Sequence, residues 1–420
     1  MAAARLGIYK MIADLWSREN IAEQIYRKSP VLGKIPKDSN FGEKIRYITV
    51  GTSPPQGLGD FENAKANKSP STAVEFQVQL ASYYGNFSIG GDIWRRYEFT
   101  GNKAVLKDPM VRDSKGIMNQ AKNDFSSFIH GNGSGALGRI ASTSTLASQT
   151  ITLDAGVDRR RLVKGMKLWA ATTSTASTTP LVGSVTVASI QGTTTAPTVT
   201  IVEPTWSGAI AGLTTTSYLF RAGAVGSTNV FYGFEAWCPA HTGTPGTFLN
   251  VTRNDAPEQL AGISLSLTNK SPRQRAMLAS QASADSGQAD GPLIYVMSTQ
   301  AWTDLYLELS QANALVMTKT PAAKIGNMST GVEYDAISLV GPAGPMEVVA
   351  DPWSPTNVER LLCLDTWVMA SCGDFFHWDN GATPDGPMLE DAADSREVRA
   401  VGDHQLYCTN PWPNVRVTTA

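Results

Sequence analysis

Hydrophobic and polar residues alternate most cleanly over 73–80. Val74, Phe76, Val78 and Leu80 share one face, and Glu75, Gln77 and Gln79 share the other. That period of two marks a half-buried strand. Upstream, 43–50 (EKIRYITV) predicts a partner strand. The stretch between them, GTSPPQGLGDFENAKANKSPST, is rich in Gly, Pro, Asn and Lys and almost free of aliphatic residues. Loops beyond about 12–15 residues are uncommon inside compact domains and are then functional or disordered. The pattern therefore predicts a long hairpin, 43–80, projecting from the body. A lone two-stranded ribbon is marginally stable in water, so this one is expected to lie on a neighbouring molecule; disorder is the alternative.

A different period follows. Met110, Val111, Ile117, Met118, Ala121, Phe125, Phe128 and Ile129 recur at helical spacing. Asp108 can cap such a helix and Pro109 suits its first turn, so a helix is expected over 108–130. Gly131, Gly133, Gly135 and Gly138 come next and are expected to end it. Residues 133–138 formally match G-x-G-x-x-G. A dinucleotide site needs a strand before its glycines and a helix after them. Here a helix precedes and a Ser/Thr tract follows, so no phosphate site is expected. A serine-hydrolase elbow around Ser134 fails at Asn132 and Ala136.

From Leu168 to Phe220 the only charged residue is Glu203. Short β-branched runs at 184–190 and 198–204, split by Gly, Pro and Thr, predict a small β-barrel or sandwich over 141–223. Arg159, Arg160 and Arg161 near its start read as a solvated turn. Beyond Phe231 the pattern becomes α/β. A helix opens at Ser271-Pro272 and runs to about residue 284. A buried strand is expected at 293–297, then a helix capped by Ser298 or Thr299 and carrying Trp302, Leu305, Tyr306 and Leu309. Strand-like runs follow at 336–340, 346–350, 361–364 and 367–370. The C-terminus reads as a helix or loop, then two short strands around 410–413.

Composition narrows the function. The 420 residues are 42% hydrophobic and 17% charged, enough for two or three cored domains, and the net charge of −2 does not mark a dedicated nucleic-acid binder. No apolar run reaches membrane-span length, and charges interrupt the N-terminus too often for a signal peptide. Cys238, Cys363, Cys372 and Cys408 are scattered, as are His130, His241, His377 and His404, so neither metal nor cofactor is expected. Asp374, His377, Asp379 and Asp391 form the densest polar cluster but match no catalytic pattern; a structural loop is expected, and no enzyme. Near the start, Tyr9, Ile12, Leu15, Trp16, Ala22, Ile25 and Tyr26 sit at helix-compatible spacing. Residues 1–37 carry seven Lys/Arg against three Asp/Glu. This is either an ordinary amphipathic helix or an arm that docks on another subunit.

The order of these parts resembles the major capsid proteins of tailed bacteriophages, the HK97-like fold. The likeness is carried by the amphipathic arm, the hairpin, the helix 108–130, GNGSGALGRI at its end, GDFFHWDNG (373–381) and the closing REVRAVGDHQLYCTNPWPNVRV. It implies an α+β chain with an N-terminal arm (1–42) and an extended hairpin or E-loop (43–80). A peripheral domain with the spine helix (81–140) and an inserted Thr-rich β-domain (141–223) follow. A mainly axial domain (224–400) and a C-terminal return to the peripheral domain (401–420) complete it.

The resemblance also implies a function and partners. Many copies would form the hexamers and pentamers of an icosahedral shell around packaged double-stranded DNA, assembled in a host bacterial cytoplasm, without a membrane. The chain lacks the long charged N-terminal segment that serves some members as a built-in scaffold. A separate scaffolding protein is therefore expected, with a portal, a possible decoration protein and weak, non-specific contact with DNA. Expected interface residues are Tyr9, Trp16, Phe61, Lys65, Lys68, Arg95 and Arg96. Some members crosslink through a hairpin lysine; Lys65 and Lys68 are read here as solvated. The alternative is another self-assembling virion component, a tail or decoration protein.

Overall fold

The computed structural model describes residues 29–100, 103–154, 161–175, 177–191, 197–226, 229–311, 317–319, 324–325, 328–329, 335–379, 388–389 and 394–419. Tyr9 and Trp16, with the rest of 1–28, lie outside the described residues, as do Arg159, Arg160 and Asp391. Of the expected arm, 1–42, the described part begins at residue 29. Residues 29–41 form a strap inside the body, where Val31, Leu32, Ile35 and Phe41 are buried and Lys34 pairs with Glu347 at 2.7 Å.

Buried apolar side chains gather in three clusters. The first surrounds the long helix, Lys103–Phe128. It starts five residues before Asp108, so Asp108 and Pro109 lie within it rather than at its first turn. Ala, Leu and Lys upstream are good helix formers, and they carry the helix back through the expected start. Its inward stripe, Met118, Ala121, Phe125 and Phe128, meets an aromatic group. The Phe125 ring lies 5.1 Å from Tyr83, 5.3 Å from Phe375 and 4.8 Å from His404. Tyr83 sits on strand Ala81–Gly90, and this pairs antiparallel with strand Ser395–Cys408 from Ser395↔Gly90 to His404↔Ala81. The latter is a single 14-residue strand where a helix or loop was expected. Charged Arg396, Glu397 and Arg399 interrupt its apolar pattern, and Gly402 weakens it further. That glycine is required by packing: a Cβ there would lie 2.5 Å from the Phe375 carbonyl oxygen.

The hairpin is formed by Arg46–Ser53 and Thr72–Val78, in register from Arg46↔Val78 to Val50↔Val74. Its root does not depend on a neighbour. At the root, Ile48, Val50, Phe76 and Val78 are buried against the chain's own body, with Phe76 5.2 Å from the Trp237 ring. None of residues 51–73 is buried. The tip carries a short helix, Phe61–Ala66, capped by Asp60, whose Oδ1 accepts from the Asn63 amide at 2.9 Å.

The second cluster fills a six-stranded antiparallel unit between Ala136 and Arg221. Its first and last strands meet. Ala141 N–H donates to the Thr152 carbonyl and Asp154 N–H to the Arg139 carbonyl, both at 2.9 Å, with a bridge at Ile140–Leu153. The sheet thus closes into a small barrel around Trp206, Leu168, Val185 and Leu219. The chain enters along Ala136–Arg139 and leaves along Tyr218–Arg221, two strands that pair with each other.

The third cluster lies between a seven-stranded sheet and two helices, Pro272–Asp285 and Thr299–Gln311. Ser271 and Gln274 form the reciprocal capping box of the first, and Ser298 Oγ accepts from the Ala301 amide of the second at 3.3 Å. Leu293–Met297 is buried at all five positions, paired parallel with Gly344–Ala350 and antiparallel with Val358–Cys363. The final strand, Val415–Thr418, joins this sheet rather than the one containing Ser395–Cys408. The expected return of 401–420 to the peripheral domain is therefore split between two sheets.

Candidate assembly surfaces

The tip of the hairpin exposes what a water-facing loop normally hides. Leu58 is 95% exposed and Phe61 76%. Lys65, one helical turn beyond Phe61, holds its Nζ 5.9 Å from the Phe61 ring. Lys65 and Lys68 both face solvent. Arg95 and Arg96 are exposed on the helix Gly91–Thr100. Arg95 pairs with Asp394 at 2.7 Å, two-thirds in solvent on both sides, and such pairs contribute little to stability. The structure thus places Phe61, Lys65 and Lys68 together and Arg95 and Arg96 on a separate helix. Phe99, 94% exposed on that helix, was not singled out in the sequence, because a lone aromatic on a polar helix has no periodic signature.

At the root, Arg46 donates to Asp38 at 2.5 Å and lies over the Phe41 ring at 4.3 Å. The hydrogen bond from Arg46 holds the Asp38 carboxyl below its usual range. Inside the body, four buried or part-buried polar groups tie distant elements together. Glu235 accepts from Arg360 at 2.6 Å and from Arg416 at 3.0 Å. Glu359 accepts from Arg275 at 2.6 Å and from the Tyr295 hydroxyl at 2.6 Å. Asp124 on the long helix accepts from Tyr83 and from Arg221 on the exit strand of the barrel. Burial raises the Asp124 pKa against the pull of Arg221. His130 meets Asp351 at 3.1 Å, and burial lowers its pKa despite that carboxylate. Asp124 thus joins the long helix to the barrel and to Tyr83, Glu235 and His130 tie the chain beyond the helix to the seven-stranded sheet and its flank, and Glu359 joins that sheet to its own helix.

The glycine stretch joins the long helix to the barrel. Gly131 N–H bonds to the Phe128 carbonyl at 2.9 Å just past the last helical residue. Gly135 has φ +83°, and a Cβ there would lie 2.5 Å from the Ala224 carbonyl oxygen. Gly133 also has positive φ, at +82°. Gly138 instead lies within the strand Ala136–Arg139, paired with Leu219, and does not end the helix. A cavity of about 180 Å³ borders the loop, lined by Ser127, Phe128, Asn132, Tyr218 and Glu235 among others. Glu235 is its only charged wall residue, which opposes an anionic ligand. Gly135→Ala is expected to destabilise the subunit by more than about 1 kcal/mol, because both the backbone angle and the space are wrong for a side chain. Urea unfolding of the variant checks this.

Of the polar cluster, His377 Nδ1 lies 3.4 Å from the Asp374 carbonyl oxygen and Asp374 is exposed. Among the described residues no group of three or more His, Cys, Asp or Glu could hold a metal ion, and no helix is long and apolar enough to cross a membrane.

His404 stacks on Phe375 at 4.4 Å, fully inside the aromatic group, and burial lowers its pKa to about 3. Folded protein therefore keeps this ring neutral where the unfolded chain protonates it, below about pH 6.5. Stability is complete above that pH and falls as pH drops toward 3, by up to about 1.4 kcal/mol per pH unit. His130 acts in the same direction. Urea midpoints at pH 7.5 and 4.5 are expected to differ less in His404→Gln than in the parent.

No protein-family model matches the chain, and no curated protein sequence does. Solved structures do. The fold is that of a phage capsid subunit, the α+β, HK97-like arrangement that the order of elements predicts. The match that carries this is the capsid asymmetric unit of cyanophage A-1(L), with TM-score 0.52, 12% identity, and 93% of each chain covered. An encapsulin complex from Synechococcus elongatus aligns over 93% of this chain and 86% of that one, with TM-score 0.43 and 8% identity.

Proposed function

We propose that this chain is the repeating subunit of an icosahedral capsid shell that encloses double-stranded DNA. One observation carries the reading: a chain with a phage-capsid fold extends a ribbon whose tip, with Leu58 and Phe61 exposed, finds nothing to cover it among the described residues. Sister copies supply the cover. Each subunit offers several modest contacts at once, so a closed shell gains by multivalency. Heterologous contacts around rotation axes close into the rings of five and six. The role is structural, and the buried ionic pairs serve the frame rather than chemistry.

The finer parts of the reading follow from the same geometry. The barrel is an inserted module, since its entry and exit strands are neighbours and its core is separate. The basic balance of 1–37 suits weak, salt-sensitive contact with DNA or with a scaffolding protein. Portal and decoration proteins complete the expected partners. Electron microscopy and light scattering of the purified protein test the reading. Closed polyhedral particles are expected; tubes or spikes would favour a tail or decoration protein, and a stable monomer at high concentration would end the capsid reading.

A further inference from the structure

Only two non-glycine residues among those described have positive φ: Leu249 at 47° and Asn250 at 66°. They are adjacent, and they form the turn between the paired strands Thr247–Phe248 and Val251–Thr252. A two-residue turn of this kind wants positive φ at both central positions, which favours Asn and Gly. Leucine pays a steric cost there. Strain of that sort persists where the surroundings fix it, and an observed outlier is a reason to look for a role.

The surroundings do fix it. Phe248, beside the turn, lies 5.1 Å from Trp237 and 5.0 Å from Tyr232, and Arg253 sits over it at 4.9 Å. The turn then meets the long hairpin. Gln77 N–H donates to the Leu249 carbonyl at 3.3 Å, and the Asn250 side-chain amide donates to Gln77 Oε1 at 2.8 Å. Gln77 is at the root of the ribbon, opposite Tyr47 and between buried Phe76 and Val78. Arg46 clamps the other strand at the same level, through Asp38 and Phe41. Farther out, none of residues 51–73 is buried.

We infer that the Leu249–Asn250 turn is a stop that sets the angle at which the hairpin leaves the body, and so the curvature with which copies join. Gln77 and Asn250 are positioning residues in this sense. The inference rests on the capsid reading and deepens it. A lever explains why so small a contact matters. Eight strand residues span roughly 26 Å, and a tilt of about 5° at the root moves a tip that far away by about 2 Å. Ring closure tolerates only a narrow range of rotation between neighbours, so a loose root admits more than one closed size.

Three variants test this: Gln77→Ala, Asn250→Gly, which keeps the turn angle but removes the amide, and Gln77→Glu, which keeps an acceptor for Asn250. Thermal unfolding of dissociated subunits and particle diameters by electron microscopy are measured together. Subunit Tm is expected to stay within about 2 °C of the parent, since these are part-exposed polar contacts. Gln77→Ala and Asn250→Gly are expected to give a diameter distribution about twofold broader, or shells of another size. Failure of these two to close while Gln77→Glu closes normally also supports the stop. Parent-like diameters in the Ala and Gly variants overturn it. So does broadening shared by Gln77→Glu, or a Tm loss beyond about 5 °C in both, which marks a contact needed for folding alone. If the parent forms no particles, the capsid reading itself fails, a distinguishable result.

Discussion

Replacing residues 54–71 by Asn-Gly yields a folded subunit that no longer forms shells. Ser53 and Thr72 face each other in register, so a two-residue turn can join them. Nothing between residues 51 and 73 is buried, so the excision removes no core. Shortening the loop also lowers its closure cost slightly. Circular dichroism and Tm are therefore expected to match the parent. Assembly loses the surface that Leu58 and Phe61 offer. Fully burying such a side chain contributes about 1.5–3 kcal/mol, so each inter-subunit contact weakens by about 3–6 kcal/mol, two to four orders of magnitude in affinity. The loss recurs at every copy. Light scattering that still finds closed particles of parental size would show that the tip is not the adhesive element.

The second large effect concerns the frame. In Glu235→Gln, Arg360 and Arg416 keep their charges but lose the carboxylate between them. Their side chains are 2% and 8% exposed, while that of Glu235 is 27% exposed. Stripping the partner from a buried ion pair costs about 3–5 kcal/mol, and the partial exposure of Glu235 puts the expectation near about 3 kcal/mol. Tm should fall by about 3–4 °C for a cooperative unit of this length. Converting Arg416 to Gln in the same chain is expected to recover part of that loss, because one uncompensated charge is gone. A single-variant loss below about 1 kcal/mol in urea would mean that solvent already neutralises the arginines.

Much of this architecture was legible from residue pattern. The hairpin announced itself because its two faces differ so sharply: Phe76 and Val78 are buried while Glu75 faces water. The helices of the seven-stranded sheet were legible because Ser271, Pro272 and Gln274 write a capping signal locally. What stayed hidden was long-range. Phe76 finds Trp237 some 160 residues away, so the seating of the ribbon root on its own body has no local trace. Arg360 and Glu235 are likewise 125 residues apart. Pro109 looked like a helix start because proline usually is one; the good helix formers before it outweighed that signal. The strand Ser395–Cys408 escaped because charged residues and Gly402 blur its alternation. As for the surface, the place of Phe61 and the tip lysines on the hairpin could be read from the sequence, whereas the strained turn at Leu249 is visible only in the backbone.

The strands by which the chain enters and leaves the barrel lie side by side, with Ala136 opposite Phe220. Backbones so paired stand roughly 5 Å apart. Any foreign domain whose own termini are neighbours fits the same socket without asking the frame to move. The spacing of these two strands, rather than the identity of the barrel, is what such a replacement would have to respect.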